Sequence, residues 1–141
     1  MPTASHPPPE EPLRVSILRQ GGYLIASIHA ALDDGQLVRF RRDLLDQIGQ
    51  HRSRGVIIDV AALDVIDSFA CHTLRTITEV SRLRGAETVV VGIQPDVALA
   101  MVRLGVSVEA LATALDLEEG MARLEVITSG AVFLPGKDGA R

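Results

Sequence analysis

Tryptophan is absent from this chain, and aromatic residues make up only 3% of it. Single-stranded nucleic acids are gripped by aromatic faces on which bases stack, so a chain with so few such faces is poorly equipped for that partner. Positive charge is also short on balance: 14 Lys and Arg stand against 18 Asp and Glu, a formal charge of -4. Phosphate backbones and anionic membrane surfaces both select basic patches, so neither nucleic acid nor a membrane is an expected partner. Cysteine occurs once, at Cys71, which removes an internal disulfide and a zinc site built from cysteines. A lone thiol suits a reducing cytoplasm. Apolar runs such as Val89-Val90-Val91 fall far short of the roughly 20 residues that cross a bilayer. The opening segment, MPTASHPPPEEP, is Pro-rich and acidic and lacks the apolar stretch of a secretory signal. A soluble cytoplasmic protein is the expectation.

What is present is 141 residues, 47% of them hydrophobic, enough for one domain with a core of its own. Residues 1–12 read as a disordered arm, because proline cannot donate to a strand ladder. Arg14 to Leu18 and Tyr23 to Ile28 read as strands joined at Gly21-Gly22, a hairpin signal. Asp33 or Asp34 caps a helix on which Leu37, Phe40, Leu44, Leu45 and Ile48 recur at helical spacing, ending near Gly49. Val56 to Val60 is a continuous, β-branched run of the kind buried on both faces. A loop with Asp64 and Asp67 leads into a helix from Ser68 to Arg84, with Phe69, Leu74, Ile77, Val80 and Leu83 expected inward and Gly85 as its stop. A second buried strand follows at Glu87 to Val91. Pro95 opens a short helix with Val97, Met101 and Leu104 as its apolar stripe. A brief strand at Leu111 to Ala114 and a helix capped by Asp116 and Glu119 close the domain. Residues 128–141 read as a flexible tail. The alternation predicts an α/β fold: a mixed sheet of four to five strands with about four helices packed on it.

Ser68 is the leading candidate site. A helix start carries free N–H groups and partial positive charge, so a phosphate ester is tolerated there while adding about -1.5 to -2 charge units. The pattern alone favours reading Ser68 as a plain helix cap, and a capping hydroxyl can also be a substrate. Asp67 is either that cap or a group that orients the hydroxyl. Asp59, at the end of a central strand, resembles a receiver's phosphoacceptor, but the only lysine is Lys137 in the tail, and receiver chemistry needs a lysine after a late strand. Cys71 reads as a small buried hydrophobe. The four histidines have no metal-ligand spacing, no phosphate loop of either common type is present, and no cofactor or catalytic set is expected. The helix start at Asp96, after Gly92 and Pro95, is a weak candidate for an anion pocket.

The stretch GVIIDVAALDVIDSFACHTLRTITEVSRLRGAETVVVGIQPDVALAMVRLGV, residues 55–106, resembles the STAS domains of anti-sigma-factor antagonists, as do YLIASIHAALDD at 23–34 and TALDLEEG at 113–120. The resemblance spans about residues 13–125, within a domain expected over 13–127, and is greatest to the RsbS-type scaffold of the stressosome. It implies a non-enzymatic regulatory protein with a phosphorylatable hydroxyl at Ser68 and a kinase-docking surround of Asp64, Asp67 and Phe69. It further implies self-association as a dimer or within a large complex, co-assembly with an RsbR-like STAS co-antagonist, and sequestration of an RsbT-like switch serine/threonine kinase until Ser68 is modified. Sporulation-type relatives place small residues and glycine after the serine; here Phe69-Ala70-Cys71 follows. The alternatives are an unmodified structural assembly subunit and a small nucleotide-binding STAS protein.

Overall fold

The computed structural model describes residues 14–106 and 111–129. The expected arm at 1–12 lies outside the described residues, as does the expected tail from residue 130 onward, while Thr128 and Ser129, expected to begin that tail, are the last residue of a helix and its C-cap. Among the described residues nine elements follow in order: β1 (Val15–Gln20), β2 (Tyr23–Ile28), α1 (Asp34–His51), β3 (Gly55–Asp59), α2 (Ser68–Leu83), β4 (Glu87–Val91), α3 (Pro95–Arg103), β5 (Ala112–Ala114) and α4 (Leu117–Thr128). The sheet runs in chain order, β1-β2-β3-β4-β5. The β1–β2 hairpin is antiparallel and every later pairing is parallel. The expected mixed sheet with four helices is what the chain forms.

Strand alternation sorts the core into two layers. Leu24, Ala26, Ile28, Val56, Ile58 and Val90 meet Phe40, Leu44 and Ile48 of α1 and Leu74 and Ile77 of α2 on one face. Right-handed crossovers put these two helices on that same side. Tyr23, Ile25, Ile57, Val89 and Val91 point to the opposite face, where Leu124 of α4 covers them. Gly120 lets α4 close down, because a Cβ there would run into Val91. Burial on both faces is why β3 and β4 read as unbroken apolar runs.

Caps follow the sequence closely. Asp33 accepts from the Gln36 amide at 2.7 Å and Gln36 Oε1 accepts from the Asp33 amide at 2.8 Å, a full capping box. Asp116 accepts from the Glu119 amide at 2.9 Å, while Glu119 reaches one residue further back, to the Leu115 amide. Helix α1 runs past Gly49 to His51 and ends where Arg52 adopts φ 50°. The Arg84 guanidinium lies over Gly49 and Arg84 donates to the Leu45 carbonyl at 3.5 Å, so the glycine makes room for a side chain instead of ending the helix.

Two helix faces differ from expectation. The buried side of α2 is Cys71, Thr73, Leu74, Ile77, Thr78 and Ser81. Leu83 is 87% exposed and Phe69 and Val80 are half-buried. At about 3.6 residues per turn, nine residues separate Leu74 from Leu83 by two and a half turns, which turns Leu83 away from the sheet. In α3 the buried pair is Val97 and Met101, and Leu104, already at the C-cap, is 45% exposed.

Candidate functional site

The site grows out of the C-terminal edge of β3. Asp59 Oδ1 accepts from the Ala61 amide at 2.9 Å and turns the chain, a local structural task for the residue that resembles a phosphoacceptor. The turn is then tied to the next crossover. The Val60 amide donates to the Val91 carbonyl at 3.0 Å, and the Gln94 side-chain amide nitrogen Nε2 donates to the Ala61 carbonyl at 2.7 Å. Gly92, at φ +81°, passes so close that a Cβ would stand 2.8 Å from the Ala61 Cβ. Gln94 is the N-cap of α3 yet makes no side-chain cap bond, because its amide is committed to Ala61.

Beyond the turn, Asp64 and Val65 are exposed, and Ile66 drops into the interior against both the α1–α2 layer and a small cluster of Cys71, Val97, Met101 and Leu111. Ile66 thereby anchors the chain one residue before the cap. Asp67 is the N-cap of α2, with extended backbone and its carboxylate accepting from the Ala70 amide at 2.8 Å. The capping bond is thus made by Asp67 and not by Ser68. Ser68 is the first helical residue and is exposed, and its hydroxyl makes no hydrogen bond with a described residue. Phe69 is half-buried and its carbonyl accepts from the Thr73 hydroxyl at 2.8 Å. Of the four residues singled out in the sequence, Asp67, Ser68 and Phe69 are contiguous at the helix start, and Asp64 stands in the loop leading to it.

Two depressions flank this turn. One is an open groove between the start of α2 and the outer side of α3, lined by Asp67, Ser68, Asp96, Leu99 and Arg103 among others. The second is apolar and lies toward the β2–α1 loop, with Leu32, Leu37, Leu63, Val65 and Asp67 in its wall. Asp96 was read only as the start of a weak candidate anion pocket, and Leu99 and Arg103 escaped the sequence reading. They recur at helical spacing on α3, one face away from the Val97 and Met101 stripe, and that spacing was the available signal.

Cys71 is buried one turn into α2. Burial, and secondarily the negative charge of Asp67, push its thiol above the ordinary range. It is the small interior hydrophobe that its neighbours imply and a poor nucleophile. Among the described residues, no group of three or more His, Cys, Asp or Glu could hold a metal ion. No helix among them is long and apolar enough to cross a membrane.

A strand, an aspartate-bearing loop and an exposed serine opening a helix, set on a sheet of this order, agree with the family match: residues 14–120 fit the STAS domain. This chain belongs to the STAS domain family. A serine-to-glutamate variant of RsbS from Moorella thermoacetica is 32% identical to it, over 83% of this chain and 99% of that one, with a TM-score of 0.74. A chain from the molecular architecture of the stressosome, a signal integration and transduction hub, is 30% identical over 79% of this chain and 97% of that one, with a TM-score of 0.67. The RsbT co-antagonist protein RsbRA of Bacillus subtilis is 31% identical over 90 residues, 64% of this chain and 33% of RsbRA. The STAS chain thus spans about a third of the length of that curated relative.

Proposed function

We propose that this STAS domain is a non-enzymatic assembly module whose contacts are switched by phosphorylation of Ser68. The observation that carries the reading is the division of roles at α2: Asp67 caps the helix, so the Ser68 hydroxyl stays exposed and uncommitted at the helix start. In this reading a kinase docks over Asp64, Asp67 and Phe69, Ser68 Oγ attacks the γ-phosphoryl group of ATP, ADP leaves, and the hydroxyl proton passes to a base on the kinase. The product retains its fold, because the new charge sits at the positive end of a helix dipole. Its docking face changes sign.

The partners follow from the relatives. An RsbR-like STAS co-antagonist shares the assembly, supported by the likeness to RsbS, to the stressosome chain and to RsbRA. An RsbT-like serine/threonine kinase is the enzyme held and released, supported by the name RsbRA carries. The complex works in the cytoplasm, and the assembling module is residues 13–127.

The test uses the full chain, its candidate kinase and ATP, with phosphate mapped by mass spectrometry. A single phosphate on Ser68, lost in Ser68→Ala, is expected. Undiminished labelling of Ser68→Ala overturns the assignment. Mixing with the STAS co-antagonist should give co-elution at high mass, and separate elution at every ratio argues against the assembly role.

A further inference from the structure

Resting on the phosphorylation reading above, we propose that Arg103 is the receptor within this chain for the Ser68 phosphate. The two residues belong to different helices, yet they line one groove. Arg103 is the only cation among the described residues that line it. It is exposed, closes α3, and makes no ion pair or side-chain hydrogen bond with a described residue. The other charged groups on the groove, Asp67 and Asp96, are acids, and Asp67 already holds the Ala70 amide. Asp64 adds a third acid in the loop before α2. A phosphate on Ser68 therefore enters a groove with two carboxylates and one uncommitted guanidinium.

The chemistry of the pair is specific. Phosphate brings three strong acceptor oxygens. A guanidinium presents its donors as a planar fork that meets two of them at once, whereas an ammonium acts as a point charge. Before modification Arg103 is free to meet an acidic group on a partner docked over α3. After modification it turns inward across Leu99 to the phosphate. The switch then does two things together: it places negative charge at α2 and withdraws a positive charge from α3. Asp96 opposes the pair and keeps it reversible.

The experiment needs no kinase. Phosphoserine is incorporated at position 68 of the full chain during translation, and the phosphate is titrated by phosphorus NMR through its second ionisation, near about pH 6. A neighbouring cation favours the dianion, so the native chain should ionise about half a unit lower than Arg103→Gln. Arg103→Lys should fall between them, Asp96→Asn should ionise lower still, and added salt should narrow all the differences. Superimposable titrations of the native chain and Arg103→Gln overturn the proposal. A second readout avoids substitution altogether: the Arg103 side-chain Nε–H resonance should move when serine is exchanged for phosphoserine, and an unmoved resonance also overturns it. A kinase that leaves Ser68 unlabelled sinks the earlier reading while these titrations stand.

Discussion

Asp67 commits its carboxylate to the Ala70 amide, which leaves the Ser68 hydroxyl without a structural task. Substitutions at the two positions should therefore part company. Asp67→Ala removes a cap and should destabilise the fold by about 1 kcal/mol. Ser68→Ala, at an exposed position, should stay within about 0.5 kcal/mol of the native chain while abolishing phosphorylation. Urea denaturation of both variants checks the contrast, and a Ser68→Ala variant as weak as Asp67→Ala would contradict it. Cys71 supplies a second residue-level expectation. Its folded thiol is raised above the ordinary value, so the folded chain keeps its proton at a pH where the unfolded chain has lost it. The unfolded state is then favoured as pH climbs past the ordinary thiol value of about 8.5. Stability should be level below that point and decline above it, and Cys71→Ala should remove this part of the decline. Thiol reagents should label the native chain at neutral pH far more slowly than the unfolded one.

At the scale of elements, the turn after β3 and the turn after β4 are one unit, joined by the Gln94–Ala61 hydrogen bond and by the close pass of Gly92. Gly92→Ala meets Ala61 and also strains a left-handed backbone, so a loss of roughly 1–3 kcal/mol is expected from thermal or chemical melts. The elements themselves were largely legible. The alternating β-branched runs, the capping aspartates at 33, 67 and 116 and the proline opening α3 all mark features that the fold uses. The inner face of α2 was legible at Cys71, Leu74 and Ile77 but not at Thr73, Thr78 and Ser81, which are polar by composition but buried in place. Thr73 and Thr78 satisfy themselves by donating to carbonyls four residues back, at 2.8 and 3.0 Å. Leu83 and Leu104 misled for the opposite reason: they are apolar, but helix phase or a helix end turns them to solvent. Ser68 was found through the family resemblance and the helix start. Arg103 was not, and Asp96 was not linked to Ser68, since the groove they share exists only once α3 is packed beside α2.

For the whole molecule, the balance of charge sets the scale of the switch. A formal charge of -4 becomes more negative by about 1.5 to 2 units on modification of Ser68. The added charge is exposed, so its effect on a docked partner is screened by salt over about 10 Å at 0.1 M. Binding of the candidate kinase should weaken on phosphorylation, and the ratio of the two affinities should shrink as salt is raised. A ratio indifferent to salt would mean that shape, not charge, carries the switch. The layer under α4, where Leu124 covers Tyr23, Ile25, Ile57, Val89 and Val91, lies on the sheet face opposite α2.

The cap at Asp67 has an evolutionary consequence. Because the helix does not depend on its first residue for a hydrogen bond, position 68 is free to vary among hydroxyl, acid and methyl side chains without foldability acting as a filter. A lineage can lock this module in one state, or restore its responsiveness, by single-codon changes that leave the scaffold intact. The same latitude allows a graded set of permanently set variants at position 68, each folding like the parent, to be mixed in chosen proportions within one assembly to count how many subunits must flip before the complex responds.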